Sequence, residues 1–270
     1  MPIVKANGVE LFYEERGSRN APAVVLAHSL FLDHRMFEHQ LEHLSDRYRV
    51  VAYDQRGHGR SRQPADCDYD METIANDGAC VIEALELHPV HFAGNSMGGF
   101  VALRLAARRP DLIRSATAMG SSAEHEYNVE QYQALHMAWK AHGFEPIIDK
   151  LMSIMFGDRT LADPGKAGMR AFWRAHMAAL PDSIGEVAQA VMERKSVLDE
   201  IRRAQRPILA ISGSEDHAFS TALSENIAQA APDGRCVVVP GAGHSVALEA
   251  PEEVNMHLRS HFERADDAIG

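Results

Sequence analysis

A serine stands between two glycines in Gly94-Asn95-Ser96-Met97-Gly98. A serine hydroxyl becomes a useful nucleophile only when a base takes its proton, and that base works best when a carboxylate orients it. The chain has 15 histidines, so position has to choose among them. His244 lies in "VVVPGAGHSVALEAPEEV", between an apolar run and a segment opened by Pro251. Asp216 lies in "AISGSEDHAFS", again just past an apolar run. Glu215 is adjacent to it, and Glu124 follows another such run, so both compete for the acid's place. Asp216 is favoured by where it falls relative to the preceding strand, although an aspartate there could also cap a helix. A serine, a histidine and a carboxylate so arranged would perform acyl transfer.

These residues need a frame that brings distant loops together. Asn7-Gly8 separates two strand-like runs, 2–6 and 9–15, and predicts a hairpin. Further strands are expected at 23–29, 48–54, 89–95, 113–120, 206–213 and 235–241. Helices are expected at 34–46, 71–87 behind a capping Asp70, 97–109 before Pro110, 220–231, and 251–265. Apolar strands alternating with helices predict a mostly parallel sheet covered on both faces, with the hairpin as its antiparallel edge. Such a sheet carries its site at the carboxyl ends of its strands. Ser96, Asp216 and His244 each follow a strand, in the order serine, acid, histidine.

The stretch 121–200 differs, with no convincing strand. It reads as helices at 126–142, 144–156, 165–180 and 183–195, punctuated by Gly143, Gly157, Pro164 and Pro181. An all-helical insertion after the sixth strand predicts a cap over one edge of the sheet. The division is therefore a core of residues 1–120 and 201–270 and a cap of 121–200.

Placed after a strand and before a helix, G-x-S-x-G fits a nucleophile elbow. The serine sits on a sharp turn, and side chains larger than glycine at 94 and 98 would collide with it. Gly98, Ala102 and Ala106 then give the helix a small face for close approach to the sheet. An oxyanion hole would take one N–H from Met97 and another from the loop after the third strand. By register that donor is Leu30, with Phe31 as the alternative.

Composition narrows the partners. A net charge of −11 argues against a nucleic-acid binder or a basic membrane-surface protein. Cys67, Cys80 and Cys236 lack the spacing of a disulfide or zinc framework and read as free thiols. The N-terminus carries no recognisable leader, and no apolar run is long enough to span a bilayer. The expectation is a soluble, cytoplasmic protein with no membrane or nucleic-acid partner; its oligomeric state is left open.

The motifs "HS" at 28–29, "DQRGHGRS" at 54–61, "GNSMGG" at 94–99, "GSED" at 213–216 and "GAGH" at 241–244 stand in order. Together they resemble the α/β-hydrolase superfamily over essentially the whole chain, and within it capped esterases and lactonases, notably 3-oxoadipate enol-lactonases. The resemblance implies an eight-stranded, mostly parallel sheet flanked by helices. It implies a serine hydrolase with Ser96 as nucleophile, His244 as base and Asp216 as orienting acid, acting on a small ester or lactone without metal or organic cofactor. Arg56 and His58 then read as structural. Ser29 replaces a glycine common in relatives, implying a backbone angle there that does not demand glycine. A carbon–carbon bond hydrolase and a non-turnover small-molecule receptor remain alternatives. In the cap, Trp139, Met155 and Trp173, with Phe31 from the core, are the candidate pocket residues for a partly apolar substrate. Arg170 and Arg174 could grip a carboxylate, but more simply form a solvated face.

Overall fold

A computed structural model describes residues 2–61 and 68–268; Cys67 lies outside them. The hairpin forms as the Asn7-Gly8 signal requires. Both residues have positive φ, 48° and 79°, as a two-residue turn between twisted strands demands. It joins β1 (Ile3–Ala6) to β2 (Val9–Arg16), paired antiparallel with Ala6 opposite Val9. Next come β3 (Ala23–Ala27), a short 3₁₀ turn over His34–Phe37, α1 (Glu38–Leu44) and β4 (Arg49–Tyr53). Helix α2 (Met71–Ala84) opens on Asp70, whose carboxylate accepts the N–H groups of Glu72 and Thr73. It is followed by β5 (Val90–Asn95), α3 (Met97–Arg108) and β6 (Ile113–Met119).

Between β6 and the next strand the described chain is helical: α4 (Val129–His142), α5 (Ile148–Met155), α6 (Asp158–Ala162), α7 (Ala167–Ala178), α8 (Ile184–Met192) and α9 (Leu198–Ile201). Two of these, α6 and α9, are too short to announce themselves by periodicity. Helix α4 begins at Val129 rather than at 126, so Glu126 sits ahead of the helix, where its carboxylate accepts the Asn128 N–H. The fold closes with β7 (Ile208–Gly213), α10 (Thr221–Ala230), β8 (Gly234–Val239), α11 (Val246–Glu249) and α12 (Pro251–Asp267).

The eight strands form one sheet in the order β1-β2-β4-β3-β5-β6-β7-β8. All pairs from β4 to β8 are parallel, and only β1 and β2 run against their neighbours. The central strands β3, β5 and β7 are buried along their whole length, as strands covered on both faces must be. This brings the carboxyl ends of β3, β5 and β7 to one edge, and with them the loops at 28–32, 96 and 214–219. No helix among the described residues is long and apolar enough to cross a membrane. Cys80 and Cys236 are free thiols, and burial raises the pKa of both.

Candidate active site

Ser96 occupies the turn between β5 and α3 with φ 53° and ψ −112°, a region costly for any residue with a side chain. Its surroundings hold it there. Its N–H donates to the Met119 carbonyl at 2.8 Å, and its carbonyl accepts from Phe100 N–H and the Ser121 hydroxyl, both at 3.0 Å. The flanking glycines are required by contact. A Cβ on Gly98 would stand 1.9 Å from the Ala27 carbonyl oxygen, and one on Gly94 would stand 2.1 Å from backbone atoms of Gly98. Backbones of β3, β5 and α3 therefore touch directly, and Ser96 reaches the wall of a cavity that it shares with His244.

His244 Nδ1 lies 3.1 Å from each oxygen of Asp216, with the two side chains 4% and 1% exposed. A carboxylate only accepts, so Nδ1 carries the proton and Nε2 is left as a base. Asp216 Oδ1 also accepts the N–H groups of Ala218 and Phe219, at 2.8 and 2.9 Å. The same carboxylate thus caps its own turn and orients the imidazole. Glu215 instead accepts the Arg159 N–H at 2.8 Å, and Glu124 pairs with the Tyr127 hydroxyl and Asn226.

After β3 the chain turns through Ser29-Leu30-Phe31-Leu32, closed by Leu32 N–H on the Ser29 carbonyl at 3.2 Å. The positive φ falls on Phe31, at 68°, and not on Ser29, as a turn with a left-handed third residue requires. Among the described residues, the N–H groups of Leu30, Phe31 and Met97 have no acceptor. Leu30 and Phe31 line the same cavity as Ser96, and Met97 opens helix α3, whose N-terminus favours negative charge. These donors could receive an oxyanion.

Sequence reasoning overlooked the side chains that hold these loops in register. Asn95, fully buried, donates through Nδ2 to the Ser29 hydroxyl at 3.0 Å and to the His244 carbonyl at 2.9 Å. The buried His28 ring accepts the Gln55 N–H on Nε2 at 2.8 Å, so its Nδ1 donates to the Ser29 carbonyl, also at 2.8 Å. Burial lowers the pKa of His28, keeping it neutral in this role. Glu249 accepts from Ser245 N–H (3.1 Å) and Gly157 N–H (2.8 Å), and Ser245 N–H also reaches the Met155 carbonyl at 3.0 Å. The histidine loop is thereby tied to the helical region; burial raises the Glu249 pKa. The one signal available in sequence was a polar side chain at the end of an otherwise apolar strand, as at Asn95.

The cavity has a volume of about 90 Å³ and is partly open to solvent. Of the four expected pocket residues, Phe31, Trp139 and Met155 line it. Trp173 does not: it is buried edge-on against Phe172 and His176, with the Arg35 guanidinium 6.0 Å away. An amphipathic helix must bury its aromatic face on something, and α7 packs against α5 and the turn at Pro164–Lys166. Arg170 donates to the Thr160 and Asp163 carbonyls and Arg174 pairs with Asp149, so neither reaches the cavity.

Away from the cavity, Arg56 makes a buried pair with Asp77 (2.7 Å) and fastens the loop after β4 to α2. His58 packs its ring 4.8 Å from that of His28. Asp33, His34 and Asp54 lie close enough for a cation, within 4.8 Å of one another. Their polar atoms are already engaged: His34 Nδ1 donates to Asp54 at 2.7 Å, and Asp33 accepts from the Arg35 guanidinium at 2.6 Å.

In comparison with known proteins, residues 24–256 match the alpha/beta hydrolase family. The chain belongs to that family. It is 27% identical over 251 residues to 3-oxoadipate enol-lactonase 1 of Acinetobacter baylyi, covering 93% of this chain and 92% of that one. It is 29% identical over 277 residues to a non-heme haloperoxidase of Rhodococcus erythropolis, covering 97% and 100%. Among solved structures, the enol-lactonase of Burkholderia xenovorans LB400 superposes with a TM-score of 0.89 at 27% identity, covering 97% of this chain and all of that one. Resemblance to enol-lactonases thus holds for both sequence and fold.

Proposed function

We propose that this hydrolase cleaves a carboxylic ester or lactone through an acyl-enzyme on Ser96. The observation that carries the reading is the strained Ser96 elbow on the same cavity wall as an imidazole oriented by Asp216. Ser96 Oγ attacks the carbonyl carbon as His244 Nε2 takes its proton, and Asp216 stabilises the imidazolium. The N–H groups of Met97 and Leu30 receive the oxyanion; each such donor typically contributes about 10²–10³ in rate. His244 returns its proton to the departing alkoxide. It then draws a proton from water, which attacks the acyl carbonyl, and passes that proton to Ser96 Oγ as the acid departs. Each step draws on side chains and backbone of this chain.

The helices between β6 and β7 act in this reading as a cap, residues 121–200, on a core of 1–120 and 201–270. Their contribution to the cavity, including Leu135, Trp139, Leu151 and Met155, supports that role. The similarity to enol-lactonases supports an acyl substrate. The test is labelling by a fluorophosphonate alongside turnover of p-nitrophenyl esters, lactones and a carbon–carbon cleavage substrate. Ser96-dependent label and ester or lactone turnover, both lost in Ser96→Ala, are expected. Turnover of the carbon–carbon substrate alone, or ligand retention without turnover, would replace this reading.

A further inference from the structure

We infer, resting on the hydrolase reading above, that the site accepts acyl arms that are apolar along their length and rejects those ending in a carboxylate. The discrimination is built into the cavity around Glu126. Among the described residues, no lysine or arginine lines this cavity. Its walls are aliphatic and aromatic, from Phe31 and Leu135 to Met192 and Phe219. Its polar members besides Ser96 and His244 are Glu126, Tyr132 and His136.

The one acidic side chain is placed so that it repels an anion and offers nothing to pair with it. Glu126 accepts from Asn128 N–H at 2.9 Å and from Arg194 Nη1 at 2.8 Å. Arg194, the nearest cation in this network, is not part of the wall. Its guanidinium is 4.4 Å from the Phe100 ring centroid and 5.3 Å from that of Phe219, and it also donates to the Glu124 and Val191 carbonyls. The pair is buried, with side chains 1% and 3% exposed. A carboxylate entering the cavity would lose its water, find no free cation, and meet the Glu126 carboxylate. The two arginines that could have served, Arg170 and Arg174, are turned to other partners. An apolar chain of the same length loses nothing by the same transfer and gains from burial.

Two p-nitrophenyl esters with the same six-carbon acyl chain isolate this effect: the hexanoate and the adipate monoester, which differ in a terminal methyl against a carboxylate. At pH 7.5, wild type is expected to show kcat/KM higher for the hexanoate by at least roughly 100-fold, as for a carboxylate buried without a partner. Glu126→Gln leaves the Arg194 charge unbalanced beside the cavity. It should cut the ratio by about 10-fold or more through a gain on the adipate monoester. If Glu126→Gln fails to fold, Leu135→Lys serves instead. That half-buried position on α4 lets a lysine stem lie along the wall, and the same fall in ratio is expected. Equal kcat/KM for the two esters on wild type, or a ratio unmoved in a folded variant, overturns the inference and leaves the hydrolase reading intact. Failure to cleave either ester, with no Ser96-dependent label, removes the hydrolase reading and this inference together.

Discussion

Asn95→Ala probes how three loops are held in one geometry. The amide donates to the Ser29 hydroxyl at 3.0 Å and to the His244 carbonyl at 2.9 Å. A carbonyl only accepts, so the nitrogen of the amide must face His244; the opposite orientation would set two oxygens against each other. Removing the side chain deletes both bonds, worth about 1 kcal/mol each, and leaves a buried carbonyl and hydroxyl to bear part of their desolvation cost. The expected loss is about 2–4 kcal/mol by equilibrium urea denaturation. Activity should fall further than global stability implies. The turn carrying Leu30 and the loop carrying His244 both lose their tether to the elbow, and a displacement near 1 Å costs on the order of 10²-fold in rate. The variant that folds is therefore expected to lose about 10–100-fold in kcat on p-nitrophenyl esters with a smaller change in KM. Ser29→Ala, which keeps the bond to His244, should lose less on both measures. In the double variant the losses should not add, because the two residues hydrogen-bond to each other. Stability within 0.5 kcal/mol of wild type, by the additivity scale of independent sites, together with unchanged kcat, would refute the tether.

Three further perturbations follow from the same geometry. Gly98→Ala drives a methyl to 1.9 Å from the Ala27 carbonyl oxygen, so α3 must move off β3; a loss of at least about 3 kcal/mol, or failure to fold, is expected by thermal melting. Arg56→Ala leaves the buried Asp77 carboxylate without its 2.7 Å partner and should cost about 3–5 kcal/mol, whereas Arg16→Ala at the surface should cost under about 1 kcal/mol. Burial, aided by the neighbouring His28, pushes His58 down to about 3. The unfolded chain then binds this proton at higher pH than the native state does, so the contribution is fully present above the ordinary value of 6.5. It is lost as pH falls toward 3, at up to about 1.4 kcal/mol per pH unit. His58→Gln should flatten the acid limb of stability between pH 6 and 4; an unchanged slope in denaturation midpoints against pH would remove His58 from that account.

Much of the site could be read locally. The hairpin follows from Asn7-Gly8, the α2 cap from Asp70, and the elbow from two glycines around a serine, because each is set by the backbone freedom or side-chain reach of residues a few positions apart. Boundaries were harder. Glu126 reads as helical from its neighbours, yet it lies ahead of α4 because its carboxylate is engaged by Arg194, 68 positions away, and by Asn128 N–H. Trp173 reads as a pocket aromatic, yet it packs beneath its own helix with Phe172, His176 and Arg35.

The sequence by itself determined the alternation of buried strands and helices, the strained turn at Ser96, and the order in which the serine, acid and histidine loops follow their strands. All of these are written in short-range pattern and glycine placement. Tertiary structure alone decided which carboxylate meets His244, since Asp216 and Glu215 are neighbours in the chain but hydrogen-bond to different partners. It alone decided that Asn95 would join residues 66 and 149 positions away. It also decided that the cavity would be walled with apolar side chains around one paired glutamate. Hydrogen-bond direction and charge pairing act over a few ångströms in space, and the sequence separation of the partners carries no trace of that distance.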